Sequence, residues 1–129
     1  MNFYDIVSKY VEYDTMDKKD KDVYELEEIR EKRRCYEKRI KDEVNEVLDI
    51  KSLKKILLDF KYILTAEEEF MIYNRYFSLE KNDKDMLRNF IDVMYFWGPD
   101  YDDEIESIDK LITEKKYQIA SDICMNIKY

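Results

Sequence analysis

Apolar residues recur along this chain at spacings of three and four, the period of a helix that buries one side. After Asn2, a residue type suited to an N-cap, the positions Phe3, Ile6, Val7, Tyr10 and Val11 predict a first amphipathic helix. The stretch from Asp14 to Asp22 has almost nothing to bury and alternates in charge, so it predicts a solvated linker whose aspartates start the next helix. From Val23 to about Asp49, the positions Leu26, Ile29, Tyr36, Ile40, Val44 and Val47 predict one long helix of about seven turns, roughly 40 Å. Its apolar stripe is narrow and interrupted by Arg33.

Ser52 is the expected cap of a helix carrying Leu53, Ile56, Leu57, Phe60 and Leu64. Thr65 with Glu68 forms a Thr-x-x-Glu capping box ahead of Phe70, Met71, Ile72, Tyr73, Tyr76 and Phe77. A further helix begins near Asn82 or Asp83 and runs through Met86, Leu87, Phe90, Ile91, Val93, Met94, Phe96 and Trp97. Apolar on most sides, it is the expected buried centre. Gly98-Pro99 stops it, with glycine as a left-handed C-cap, and a last helix carries Ile105, Ile108, Leu111, Ile112, Ile119 and Ile123. The expectation is an all-α chain, a compact bundle of about six helices with one long helix and a buried central helix, forming a single domain over residues 1–129.

Composition sharpens this picture by exclusion. One glycine and one proline in 129 residues leave no material for tight hairpins, phosphate-cradling loops or a nucleophile elbow. Histidine is absent, which removes imidazole catalysis and nearly all zinc and di-iron sites, so neither catalysis nor a cofactor is expected. Cys35 and Cys124 lie far apart and outside any CxxC pattern, as expected of free thiols in the cytoplasm of the producing or host cell, with one structural disulfide as the alternative. No apolar run reaches membrane-spanning length, and the acidic, tyrosine-rich start is unlike a secretory signal.

With histidine absent, carboxylates are the remaining candidates for chemistry. Glu27-Glu28-x-x-Glu31 followed by Glu46-x-x-Asp49 resembles the metal-binding pattern of the all-helical MazG-like nucleotide pyrophosphatases, where carboxylates on two packed helices share magnesium. That resemblance implies a carboxylate-metal nucleotide hydrolase. On one continuous helix, however, Glu31 and Glu46 stand roughly 22 Å apart along the axis, too far to share an ion. Pro99-Asp100 with Glu114-x-Lys116 imitates a restriction-type nuclease signature, but those residues project from strands there and the periodicity here is helical. Asp100-x-Asp102-x-Glu104 lacks the glycine of a calcium loop and reads as charge at a helix start.

The segment Leu64-Thr-Ala-Glu-Glu-Glu-Phe-Met-Ile-Tyr-Asn-Arg-Tyr-Phe77 resembles the first helix of the helix-turn-helix in region 4 of sigma factors and in ArpU-type phage regulators. This implies a DNA-binding regulator, for which Arg30, Arg34, Lys38 and Lys41, spaced by four, four and three, are the candidate phosphate contacts. Against it, the helix after Gly98 opens with acids, and Glu27, Glu31, Glu37, Asp42 and Glu43 lie where they pair with the basic stripe.

The formal net charge is −8, concentrated beyond Thr65. A field of that sign steers association with cationic surfaces. The chain is therefore expected to be an acidic protein-binding inhibitor that docks on a basic partner surface, such as a nuclease or another nucleic-acid-binding protein. Immunity proteins and phage-borne anti-defence inhibitors follow the same logic. Asp100, Tyr101, Asp102, Asp103, Glu104 and Glu106 are the expected docking residues, and the twelve tyrosines, with Tyr13, Tyr101 and Tyr129 outside any inward register, suit such a face. The abundance of lysine, isoleucine, asparagine and tyrosine, all encoded by AT-rich codons, fits a phage, virus or mobile element. Circular dichroism should show a predominantly helical spectrum with cooperative unfolding indifferent to chelators; a strong β signal or a chelator-sensitive transition would contradict this reading.

Overall fold

The computed structural model of the chain describes residues 1–17 and 22–129. Among the described residues there are seven α-helices and no strand: α1 Phe3–Asp17, α2 Val23–Glu43, α3 Ile50–Asp59, α4 Ala66–Leu79, α5 Lys84–Trp97, α6 Asp102–Thr113 and α7 Tyr117–Cys124. Short 3-10 turns lie at Val44–Glu46 and Pro99–Tyr101. The chain divides into two compact units, Met1–Val47 and Leu48–Tyr129. No described helix is long and apolar enough to cross a membrane.

In the first unit α1 packs along α2. Phe3, Ile6, Val7 and Tyr10 are buried as their spacing predicts. The linker expected over 14–22 is helical as far as Asp17, and its remainder lies partly outside the described residues. Its acids have partners on α2: Asp17 accepts from Arg30 Nε at 2.7 Å, and Asp14 lies 3.8 Å from Arg33. Tyr13 stacks on Tyr36 with ring centroids 5.7 Å apart, so this tyrosine has an inward register that its spacing concealed.

The helix expected to reach Asp49 stops at Glu43. Asp49 provides the reason: its carboxylate accepts from Ser52 N–H at 3.2 Å, which makes Asp49, rather than Ser52, the N-cap of α3. A side chain that binds its own backbone in this way favours a helix start over a helix interior.

The second unit is built around α4, which buries nine of its 14 residues against six of 14 in α5, the expected centre. Phe90 of α5 meets Phe70, Tyr73 and Phe77 of α4 at 5.2, 4.6 and 5.9 Å between ring centroids. Asp83, the N-cap of α5, also accepts from Tyr76 Oη at 2.6 Å and Lys54 Nζ at 3.0 Å, tying α3, α4 and α5 together. Burial works to raise the Asp83 carboxyl, but those hydrogen bonds and the one from Met86 N–H outweigh it and hold the group below its ordinary range. Asn74 of α4 donates to the carbonyls of Cys124 and Ile127 at 2.9 and 2.8 Å, tying α4 to the end of α7 and the residues after it.

Two chain reversals differ from expectation. Gly98 has φ +153° and ψ 168°, a conformation all but restricted to glycine and not the left-handed helical cap. The helix expected to run from Asp102 through Ile123 breaks at Lys115, whose φ is +59°. Lys116 N–H donates to Leu111 O at 2.8 Å and Lys115 N–H to Ile112 O at 3.0 Å, a Schellman closure with lysine where glycine is usual. Both cysteines are free, Cys35 exposed and Cys124 buried, where burial pushes its thiol up to about 12.

Two stability measurements check this arrangement. Phe90→Ala should cost about 3–5 kcal/mol in urea unfolding, because it empties a fully enclosed site between aromatic rings; a loss near zero would contradict the packing. Lys115→Gly should instead stabilise by about 1 kcal/mol, since the left-handed conformation penalises a side chain. A destabilisation would mean the reversal is not formed as described.

Candidate functional site

Acids and aromatics meet along α5 and α6. Between Asp100 and Asp109 there are six acids, Asp100, Asp102, Asp103, Glu104, Glu106 and Asp109, and no base. The first turn of α6 takes Asp102, Asp103 and Glu104 because carboxylates offset the positive end of the helix dipole there. Ile105, Ile108 and Ile112 turn the opposite side of α6 inward. Asp102, Glu106 and Asp109 thereby line an open groove of about 410 Å³ whose other walls are Ile91, Tyr95 and Ile105. Arg88 stands 3.8 Å from Asp109 and offsets one of those charges.

The groove gathers only Asp102 and Glu106 of the expected docking residues. Asp100 and Asp103 are exposed beside it, and Glu104 is half-buried. Tyr101 has a structural role: its ring lies 5.3 Å from Phe70 and its hydroxyl donates to Lys128 O at 3.1 Å. Tyr129 likewise rests on Phe70, at 5.6 Å, while staying largely open to solvent.

The side chains that spacing alone missed are Tyr95, Phe96 and Tyr62. Tyr95 and Phe96 are 63% and 55% exposed, although both belong to an apolar run. They fall off the Met86, Leu87, Phe90, Ile91, Val93, Met94 stripe, and that offset was the available signal. Phe96 packs on Tyr62 at 4.4 Å and edge-on against Trp97 at 4.9 Å, so these three rings form a continuous patch, while Tyr95 faces the groove. Lys61 Nζ sits 5.1 Å from the centre of the Tyr62 ring and also donates to Asn89 Oδ1 at 2.9 Å.

A buried carboxyl underlies this patch. Glu69 is 1% exposed and accepts through Oε1 from the backbone N–H of Tyr62 at 3.0 Å, holding Tyr62 at a φ of +63°. Glu69 Oε2, Tyr73 Oη and Trp97 Nε1 are buried without a hydrogen-bond partner among the described residues. Burial raises the Glu69 carboxyl to about 7, against the opposing pull of the Tyr62 N–H, the nearby Trp97 indole and Lys61. Burial, then the Glu69 charge, pushes the Tyr73 phenol above its ordinary range.

The candidate basic stripe is largely engaged. Arg30 binds Asp17 at 2.7 Å, Lys38 lies 3.8 Å from Asp42 and Lys41 lies 3.5 Å from Glu37. Glu27, Glu28 and Glu31 stand on α2, Glu46 in the 3-10 turn, and Asp49 caps α3. Among the described residues no three cysteine, aspartate or glutamate side chains converge as a metal ion requires.

The Glu69 environment carries a sign. The folded protein holds this proton more tightly than the unfolded chain, so the contribution is fully present below pH about 4.5, declines as pH rises and is lost above about 7. Urea midpoints measured across that window should fall in the native protein and change less in Glu69→Gln; equal slopes would contradict the burial of this carboxyl. Comparison of the chain with protein-family models, with curated proteins and with solved structures finds no match.

Proposed function

We propose that this protein works by binding rather than by catalysis, docking the α5–α6 face on a basic surface of a partner protein. The observation that carries the reading is the meeting in one groove of the acids Asp102, Glu106 and Asp109 with an exposed ring that the core does not use, Tyr95 at 63%. Exposed acids alone are solvated charge, and an exposed ring alone is ordinary surface. Together they supply a steering field and a desolvated anchor, the two ingredients of a specific interface. The matching partner is a nuclease or another nucleic-acid-binding protein, whose cationic cleft is complementary in charge, and the protein acts there as an inhibitor. Direct DNA binding has less support: acids open the helix after Gly98, and three of the four candidate phosphate contacts lie next to acids of their own unit.

Affinity capture from the native cell, followed by titration of the purified partner, tests this. Asp102→Asn, Asp103→Asn, Glu104→Gln and Glu106→Gln together should slow association most at low salt. Tyr95→Ala should weaken the complex by about tenfold without a loss of stability. Folding should survive the amide changes, since helix-end charges contribute only about 0.3–1 kcal/mol each. Tight duplex binding at physiological salt, abolished by Arg30→Ala and Arg34→Ala, would overturn the proposal.

A further inference from the structure

The outward side of α2 is built to meet itself. α1 covers one side of α2, where Ile29, Arg33, Tyr36 and Ile40 are buried or half-buried. On the opposite side Tyr24, Glu27, Glu31, Arg34, Lys38 and Lys41 are all exposed, with Tyr24 at 86%. Their spacing of three, four, three, four and three is an unbroken heptad seam. Within the helix the seam is polarised, acids and a tyrosine in its first half and bases in its second. Among the described residues Glu27, Glu31 and Arg34 make no ion pair, although other charges of α2 pair along the helix, as in Lys32 with Glu28 and Arg39 with Glu43.

We infer that this seam docks on the α2 seam of a second copy of the chain, with the two helices antiparallel. A two-fold axis passing between residues 32 and 33 places Glu31 opposite Arg34, Glu27 opposite Lys38 and Tyr24 opposite Lys41, each contact occurring twice. An isologous interface requires this reciprocity, in which residue i meets j and j meets i. All three layers satisfy it in one register, and the helix dipoles also oppose one another. A parallel pairing sets Glu27 against Glu27 and Arg34 against Arg34, so like charges exclude it. The seam has no aliphatic side chain, so association rests on charge and on the Tyr24–Lys41 contact and weakens as salt rises. The same geometry gives the basic residues of α2 a protein partner in place of phosphates.

Sedimentation equilibrium of the native protein at low salt should show a monomer–dimer equilibrium that shifts to monomer at high salt. Arg34→Glu or Glu31→Arg alone should raise the dimer Kd by roughly tenfold or more, because each removes two pairs and opposes like charges. The double variant Glu31→Arg/Arg34→Glu should return it to within about threefold of the native value. Zero-length carbodiimide coupling of the native protein gives a readout free of substitutions. Glu27 and Lys38 stand roughly 16 Å apart along one helix and cannot couple within a chain, so a Glu27–Lys38 product, mixed in isotope-labelled pairs, reports the antiparallel seam. A monomer at low salt yielding only within-chain products such as Lys38–Asp42 would overturn the inference, as would a dimer indifferent to the charge changes. So would duplex DNA binding lost in Arg34→Glu.

Discussion

The ring of Phe70 meets Phe90, Tyr101 and Tyr129 at centroid separations of 5.2, 5.3 and 5.6 Å. One buried side chain of α4 thus fixes α5, the turn that leads into α6, and Tyr129. Aromatic pairs at these distances contribute beyond the area they bury and do so only in defined orientations. The position of the acidic run follows from them, because Tyr101 sits one residue before α6 and its hydroxyl is secured to Lys128 O. The surface proposed for docking is therefore set by packing underneath it. The buried Glu69 extends the same dependence to Tyr62 and, through the Tyr62–Phe96 contact, to Phe96.

Helical spacing made most elements legible. α1, α3, α4 and α5 begin at side chains that stop a helix from starting earlier, and Asp83 and Thr65 cap where their residue types suggested. Two reversals were concealed because they are made without glycine. Lys115 and Tyr62 adopt positive φ, Lys115 within a local Schellman closure and Tyr62 with its N–H held by the Glu69 carboxylate of α4, against a local preference that favours continuing the helix. Neither residue type signals such a turn. The end of α2 failed differently, since Asp49 and Ser52 competed for one capping role and only geometry chose between them.

The candidate site was legible in charge but not in shape. Asp102 and Glu106 could be found from the acidic run, whereas the groove they line needed the position of Tyr95 on a second helix. Tyr101, chosen for its lack of an inward register, packs on Phe70 because the 3-10 turn after Gly98 rotates the chain relative to a continuous helix. The basic residues of α2 present the converse. Their spacing suggested a stripe for phosphates, but Arg30, Lys38 and Lys41 lie close to acids of the same unit, and the pattern is as regular toward a second α2 as toward a polyanion.

The central claim, that α5 and α6 form a docking face for basic protein surfaces, is tested most directly by titrating an arginine-rich helical peptide into isotope-labelled protein and following backbone amide shifts. The proposal predicts saturable shifts concentrated at Tyr95, Asp102, Ile105 and Glu106, diminished by salt. Shifts of equal size at acids elsewhere, such as Glu25 and Glu67, or none at the groove, would contradict it.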